Sequence, residues 1–299
     1  MSDGDPAGTS AATPLVILAG GGRFPLLVAE TVRSQGRPVT IAAIRGEADA
    51  AVADFPHVWL GRGQLGTLIA LMRRLGARDL VIVGAVRQRR LPRLSELDVG
   101  GVWEVIRNWR ILRQGDDGLL RKIARLFETR GIRVVGAAEV APELLMPIGA
   151  IGRYHPKETD LADVAVGLCG ARAHGADDRG QAVIARDGLV AVKEGPAGTD
   201  AMISVFAELP RGISPGVLVK CPKPTQDRRL DMPAIGPDTV RAAAAAGLSG
   251  IAVEAGGTIV ADRAEVVRLA DECGLFVFGV APDGPLDACL CGCASEGAA

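Results

Sequence analysis

The sequence predicts an α/β protein in two parts, an N-terminal Rossmann-like parallel-sheet domain followed by a mixed α/β C-terminal domain. Three observations predict it. Short runs of consecutive apolar residues alternate with helix-length amphipathic stretches, the pattern of strands covered on both faces by crossover helices. A Pro/Gly-punctuated stretch interrupts this alternation near mid-chain. Beyond it, two apolar runs are joined by Arg186-Asp187-Gly188, a turn that requires an antiparallel pair. A chain of 299 residues with 48% hydrophobic content can furnish a core for each part.

Taken in order, Leu15 to Ala19 reads as a buried strand, Gly20-Gly21-Gly22 turns the chain, and Pro25 suits the first turn of a helix ending near Gln35. Strands are expected over Val39–Ile44 and His57–Leu60, then a helix over Gln64–Leu75 stopped by Gly76, then a strand at Leu80–Val83. Helices over Val102–Leu112 and Leu119–Arg130 and a strand at Ile132–Val135 complete the N-terminal domain, placed at 15–141. Pro147, Gly149 and Gly152 make 142–156 an expected linker. The C-terminal domain, 157–281, is expected to hold a helix near Thr159–Ala173 and the hairpin runs Ala182–Ala185 and Leu189–Val192. A strand (Val217–Lys220), a helix (Asp238–Ala246), a strand (Ile251–Glu254), a helix (Arg263–Glu272) and a strand (Leu275–Gly279) follow. Residues 1–14 and 282–299 are expected to be flexible tails.

Composition excludes several classes of function. Lys+Arg total 34 against 35 Asp+Glu, and aromatics are 3%, so neither the charge nor the stacking surface for non-specific nucleic-acid binding is present. No apolar run has the length of a membrane span and no signal peptide opens the chain. The six cysteines lack framework spacing and fit reduced thiols, so the expected location is cytoplasmic.

The glycine turn at Gly20-Gly21-Gly22 offers backbone N–H groups and a helix start to a nucleotide phosphate, or is only a tight βα turn. The third glycine of a dinucleotide fingerprint is absent, and Arg45 and Glu47 match its ribose acid loosely. The most unusual segment is Lys220-Cys221-Pro222-Lys223-Pro224-Thr225-Gln226-Asp227-Arg228-Arg229-Leu230-Asp231-Met232-Pro233. Its prolines favour extended backbone, in which Lys223, Thr225, Asp227, Arg229 and Asp231 share one face and Gln226, Arg228 and Leu230 the other. Carboxylates interleaved with cations suit a metal-bound polyphosphate: Asp supplies hard oxygens for Mg²⁺, and Lys or Arg neutralises phosphate oxygens. The competing reading is a solvated loop whose charges pair with one another.

Other signals are weaker. Thr199 or Asp200 in Gly198-Thr199-Asp200 reads first as a helix N-cap, as does Gly115-Asp116-Asp117, and Asp177 to Gln181 forms a polar approach to the hairpin. His57, His155 and His174 are scattered, which excludes a His-rich dinuclear phosphoesterase, and Cys289, Cys291 and Cys293 lack zinc spacing. The helix carrying Trp103 and Trp109 is read as packing in a core, with a basic amphipathic surface helix as the sharper alternative. Walker A, nucleophile-elbow and Nudix signatures are absent.

Together, Ala19-Gly20-Gly21-Gly22 with Pro25, Gly115-Asp116-Asp117, Gly180-Gln181, Gly198-Thr199-Asp200 and the run Lys223-Pro224-x-Gln226-Asp227-x-Arg229-x-Asp231-x-Pro233-x-x-Gly236 resemble the LpxI-type UDP-2,3-diacylglucosamine pyrophosphatases. The resemblance spans Leu15 to Val280, and the last run is its specific part. It implies a Mg²⁺-dependent cytosolic hydrolase of lipid A synthesis, with the lipid substrate held between two domains. Water would cleave the diphosphate at the sugar-side phosphorus, giving UMP and 2,3-diacylglucosamine 1-phosphate (lipid X). Carried over, Asp231 is the key carboxylate, with Asp227 as a second metal ligand and Lys223 beside the phosphoryl group. Gly21, Gly22, Gln181, Thr199, Asp200, Gln226 and Arg229 are expected to line the substrate.

This chain departs from the family pattern in three places. Ala197 stands where a glutamate usually does, Val205 where an arginine is common, and Gln88-Arg89 where Arg-Pro is usual; Glu194 would replace the lost acid only if its loop shifted. The departures leave room for a non-catalytic lipid-nucleotide-binding relative, and the glycine turn leaves room for a nicotinamide-dependent oxidoreductase. The expected partners are the lipid-linked sugar nucleotide, the inner membrane surface as a peripheral contact, and a second copy of the chain in a homodimer.

Overall fold

Leu15, Val16 and Ile17 are fully shielded from solvent because β1 (Leu15–Ala19) lies at the centre of a parallel sheet. The computed structural model describes residues 13–86, 98, 116–210, 212–224 and 226–282. It comprises two compact units, Met1–Ala141 and Pro142–Ala299. The first holds β2 (Val39–Ile44), β3 (His57–Leu60), β4 (Asp79–Val83) and β5 (Arg133–Val135) around β1 in the order 3-2-1-4-5, every pair parallel. That is the strand order of a Rossmann-type sheet. Its helices are α1 (Phe24–Ser34), with Pro25 in the first turn, α2 (Leu65–Leu75), α3 (Asp116–Glu128) and the one-turn α4 (Ala137–Val140). The helix expected over Val102–Leu112, Gly115, the cysteines of 289–293 and the tails but for residues 13, 14 and 282 lie outside the described residues.

The glycine turn is a point of close backbone contact. A Cβ on Gly20 would stand 2.7 Å from the Ala85 carbonyl oxygen. Gly21 and Ala85 exchange two backbone hydrogen bonds, of 2.6 and 2.9 Å, so the Gly21 N–H is already engaged by the end of β4. At the opposite end of the strands Asp79 opens β4 and collects three hydrogen bonds: Arg37 Nη2 at 2.5 Å, Arg133 Nε at 2.9 Å and Arg133 Nη2 at 3.0 Å. The register sets Arg133 directly beside Asp79, which makes the pair possible. Burial works to raise the Asp79 pKa, but the hydrogen bonds and charges of Arg133 and Arg37 outweigh it and hold the carboxyl below its ordinary range.

The second unit is built on a mixed six-stranded sheet in the order β6-β13-β11-β9-β7-β8. Strands β9 (Val217–Lys220), β11 (Gly250–Glu254) and β13 (Phe276–Val280) are parallel, whereas β7 (Ala182–Arg186) runs against β9 and β8 (Leu189–Lys193) against β7. The β7–β8 hairpin turns through Asp187 and Gly188, both at positive φ (56° and 74°), as a two-residue turn matched to strand twist requires. Alternate residues face two layers. Val183, Val217, Val219 and Ala252 pack on Val164, Leu168 and Ala171 of α5 (Glu158–Ala176). Ile184, Leu218, Ile251 and Val253 face α6 (Thr199–Ala207), α7 (Pro237–Ala245) and α8 (Arg263–Cys273). A small parallel pair, β10 (Ala234–Ile235) and β12 (Ile259–Val260), lies apart from the main sheet.

The stretch expected as a linker, 142–156, instead contributes to this unit. Its β6 (Gly149–Ala150) pairs antiparallel with β13, and buried Met146 donates its N–H to the Thr258 carbonyl at 2.8 Å. Proline and glycine spacing signalled a break in regular structure but could not reveal that Met146 and the β6 pairing anchor the break to the core. Among the described residues no helix is long and apolar enough to cross a membrane.

The Asp79 clamp yields a pH-dependent prediction. Asp79→Asn should destabilise the protein by about 2 kcal/mol at neutral pH. Because the carboxyl binds its proton less readily folded than unfolded, its contribution is complete above the ordinary value of 3.8 and is lost as pH falls through the lower folded value. Urea unfolding from pH 7 to pH 3 should therefore show the wild-type advantage shrinking in acid; an advantage constant across that range would contradict the assignment.

Candidate active site

Strand direction gathers the polar residues of the second unit. Because β8, β9, β11 and β13 run one way and β7 the other, one edge of the sheet carries Glu194 after β8, Lys220 at the end of β9, Glu254 at the end of β11 and Gln181 just before β7. The carboxyl edge of parallel strands is the usual ligand edge of open α/β sheets, because helices begin and loops diverge there.

Lys220 continues the alternation of β9 on the Leu218 side, toward α6, and is only 7% exposed. Its Nζ donates to Thr199 Oγ1 and to the Ala234 carbonyl, both at 3.2 Å, and among the described residues it forms no ion pair. Burial pushes its pKa below the usual lysine range, while the charges of Glu194, Asp200 and Asp231 pull it back up. Glu194 is buried and engaged at both oxygens: Oε1 accepts from Thr199 Oγ1 at 2.5 Å and Oε2 from the Gln181 N–H at 2.7 Å. A continuous chain of bonds therefore runs Lys220–Thr199–Glu194–Gln181. The Gln181 side-chain oxygen is buried and has no hydrogen-bond partner among the described residues.

Thr199 does not cap α6, contrary to the first expectation from its position, and α6 has no side-chain cap at all. Gly198, at φ 87° and ψ −177°, turns the chain so that the Thr199 hydroxyl meets Glu194 and Lys220 instead. That backbone conformation is open essentially to glycine alone. Asp200 is exposed in the first turn, and its side chain accepts no hydrogen bond among the described residues. Glu194 reaches Thr199 with the loop as it stands, so no shift is needed to offset Ala197.

The proline-rich segment departs from the extended alternation expected of it. Asp227 is the cause. Its carboxylate accepts the Arg229 N–H at 3.1 Å, and its carbonyl accepts the N–H groups of Leu230 at 2.9 Å and Asp231 at 3.1 Å, closing a turn. Gln226 braces this turn from both ends. Its Oε1 accepts the Lys223 N–H at 3.0 Å and its Nε2 donates to Asp231 Oδ2 at 2.5 Å, joining two residues the alternation would put on opposite faces. Arg229 grips both Asp227 oxygens, at 3.0 and 2.8 Å, and the Lys223 ammonium pairs with Asp178 at 2.7 Å. The loop is fastened to the sheet by buried Glu254, which accepts from Arg228 at 2.9 Å and from Arg172 of α5 at 3.4 Å.

The expected residues Gln181, Thr199, Asp200, Gln226 and Asp231 thus gather around Lys220 and Glu194. Asp227, Arg229 and Lys223 pair with partners on the flanks, Thr225 lies outside the described residues, and Gly21 and Gly22 belong to the first unit. Sequence reasoning overlooked Lys220 and Glu254 as site residues. Each is a charge closing an apolar strand at the ligand edge, and that position was the available signal.

Among the described residues no three His, Cys, Asp or Glu side chains form a metal cage. Mg²⁺ does not demand one, since it is commonly held by one or two carboxylates completed by phosphate oxygens and water. Asp231 fits that role: its Oδ1 accepts no hydrogen bond among the described residues, and the exposed Asp200 acts on the same buried lysine. Asp227, with both oxygens held by Arg229, is less available.

The chain is an α/β protein with a parallel 3-2-1-4-5 sheet unit and a mixed-sheet unit, and comparison with known proteins gives its family. The LpxI N-terminal domain family matches residues 14–144 and the LpxI C-terminal domain family matches residues 147–278. The chain belongs to the LpxI family. A curated relative, the UDP-2,3-diacylglucosamine pyrophosphatase LpxI of Caulobacter vibrioides, is 37% identical over 276 residues, which is 90% of this chain and 98% of the relative.

Two substitutions test the scaffold of the site. Glu194→Ala orphans the Gln181 N–H and the Thr199 hydroxyl and should cost about 2 kcal/mol in urea unfolding. Gly198→Ala should cost about 1–3 kcal/mol through backbone strain. An alanine accepted at residue 198 without loss of stability would contradict the positive φ.

Proposed function

We propose that this chain hydrolyses the diphosphate of UDP-2,3-diacylglucosamine with Mg²⁺, releasing UMP and 2,3-diacylglucosamine 1-phosphate (lipid X) for lipid A synthesis. One observation carries the reading beyond family membership. The turn at 227–231 brings Asp231, oriented by Gln226, into the electrostatic neighbourhood of Lys220, beside the N-terminus of α6. Exposed acid, buried cation and helix start are what a metal-bridged polyanion needs.

When bound, Mg²⁺ neutralises diphosphate charge and makes the phosphorus more open to attack. Asp231 would hold it, with Asp200 as the second carboxylate of the same edge. Gln226 keeps the Asp231 carboxylate in one orientation by donating to Oδ2. The backbone N–H groups at the start of α6 add fixed positive dipoles toward a bound phosphate. Water attacks the sugar-side phosphorus and UMP leaves as the stable anion. The non-catalytic reading is weaker because Glu194 already supplies a buried carboxylate beside Thr199 despite Ala197. The acyl chains of such a substrate reside in the inner membrane, so the reading carries cytoplasmic location and peripheral contact with that surface. The expected assembly is a homodimer, and sedimentation at a monomer's mass would remove that part.

The test is direct. In H₂¹⁸O, mass spectrometry should find the label in lipid X and not in UMP, which locates the attacked phosphorus. Chelator should stop turnover and added Mg²⁺ restore it. Asp231→Ala should lower kcat by about 10³-fold or more, because it removes charge positioning at the reacting centre. Turnover indifferent to chelator would eliminate the metal, and an active Asp231→Ala would eliminate the central assignment.

A further inference from the structure

We propose that Lys220, rather than Lys223, is the lysine that contacts the scissile diphosphate, so that Lys220 is a catalytic residue of this site. The proposal rests on the diphosphate reading above for its substrate. An ammonium carries three N–H donors. Two are spent on neutral acceptors, Thr199 Oγ1 and the Ala234 carbonyl, and no ion pair among the described residues takes the third. A charge sealed from water normally has a counter-charge in contact with it. Here no acid among the described residues is in contact with it, although the charges of Glu194, Asp200 and Asp231 act on it.

The acids are held back. Both Glu194 oxygens are occupied, one by the Thr199 hydroxyl and one by the Gln181 N–H. By donating to Glu194, Thr199 turns its acceptor side to Lys220, so the carboxylate's influence reaches the ammonium through a hydroxyl and not by contact. Asp231 is drawn aside by Gln226. The result is a fixed cation with one donor unspent among the described residues, at the carboxyl end of β9 and next to the N-terminus of α6. Two independent features, the unspent ammonium and the helix start, thus favour an anion at one place. Lys223 is differently placed, since Asp178 contacts its ammonium at 2.7 Å.

The chemistry uses such a cation well. In phosphoryl transfer the charge spreads over the non-bridging oxygens, and a preorganised donor stabilises it without reorganisation. Lys220 would donate its third N–H to one of these oxygens and remain protonated throughout. No covalent step and no proton transfer is asked of it.

The experiment compares wild type, Lys220→Met and Lys220→Ala. Lys220→Met should lower kcat/KM by about 10²- to 10³-fold, with kcat falling and KM rising, because the donor contacts the diphosphate in the ground state as well as in the transition state. Its melting temperature should be equal to wild type or higher, because a buried unpaired charge has been removed; a merely structural lysine would lower it. Turnover within about threefold of wild type would overturn the proposal. If Lys220→Met loses both activity and stability, Lys220→Ala decides. Methylammonium, but not ethanol, should restore its turnover at least tenfold, and failure to do so overturns the proposal. Pyrophosphate titration separates this inference from the functional reading. A wild type inactive on UDP-2,3-diacylglucosamine sinks that reading, yet pyrophosphate binding lost in Lys220→Met would still sustain the lysine contact. Equal pyrophosphate binding by the two proteins would overturn it.

Discussion

Lys220 lies in a place almost sealed from water, where burial opposes its charge, and the ligand edge of the second sheet is arranged around it. Leaving a buried ammonium uncompensated costs several kcal/mol, while pairing it directly with an acid would cancel the charge on which its proposed role depends. The structure takes an intermediate course. Glu194, Asp200 and Asp231 lower the cost through their field, and a threonine hydroxyl stands between the nearest buried carboxylate and the ammonium. Gly198 is part of the same solution, since only its positive φ lets Thr199 face inward instead of capping α6.

The loop that carries Asp231 is made rigid by means unlike those suggested by its prolines. An Asp227-centred turn, the two-ended Gln226 amide and the bidentate Arg229–Asp227 pair hold its shape from within. Half-exposed pairs between residues so close in the chain contribute little to stability. The fastening that matters energetically is Glu254, whose buried carboxylate ties Arg228 of the loop and Arg172 of α5 to the end of β11. Local pairs set geometry and the buried acid secures it.

Both units pin the amino edges of their sheets with a buried aspartate. Asp79 joins Arg37 and Arg133 in the first. In the second, Asp163 accepts the Gly188 N–H at 2.7 Å and the Ser214 hydroxyl at 3.1 Å, holding the β7–β8 turn against the approach to β9. With the amino edge of the second sheet so secured, its carboxyl edge can carry groups whose arrangement serves a ligand and not stability alone.

What the sequence by itself determined was whatever depends on near neighbours: apolar runs and their alternation, Pro25 at a helix start, Gly76 at a helix stop, and the Asp187-Gly188 hairpin. Each is decided by backbone sterics or by burial of one face within a few residues, so composition and period suffice. It also pointed to Gln181, Thr199, Asp200, Gln226 and Asp231, through the charges of a proline-rich segment, polar residues beside the hairpin and a helix start, and the resemblance to the LpxI-type family. Only the tertiary structure decided what those residues do. The bond from Lys220 to Thr199 joins residues far apart in the chain, and that from Glu254 to Arg172 crosses from strand to helix. Strand direction creates such contacts, and no local pattern encodes it. The turn at Asp227 was lost for a different reason. Proline's preference for extended backbone competed with an aspartate's grip on the N–H two residues on, and the choice between two local tendencies of similar strength fell to the sheet edge on which the loop is anchored.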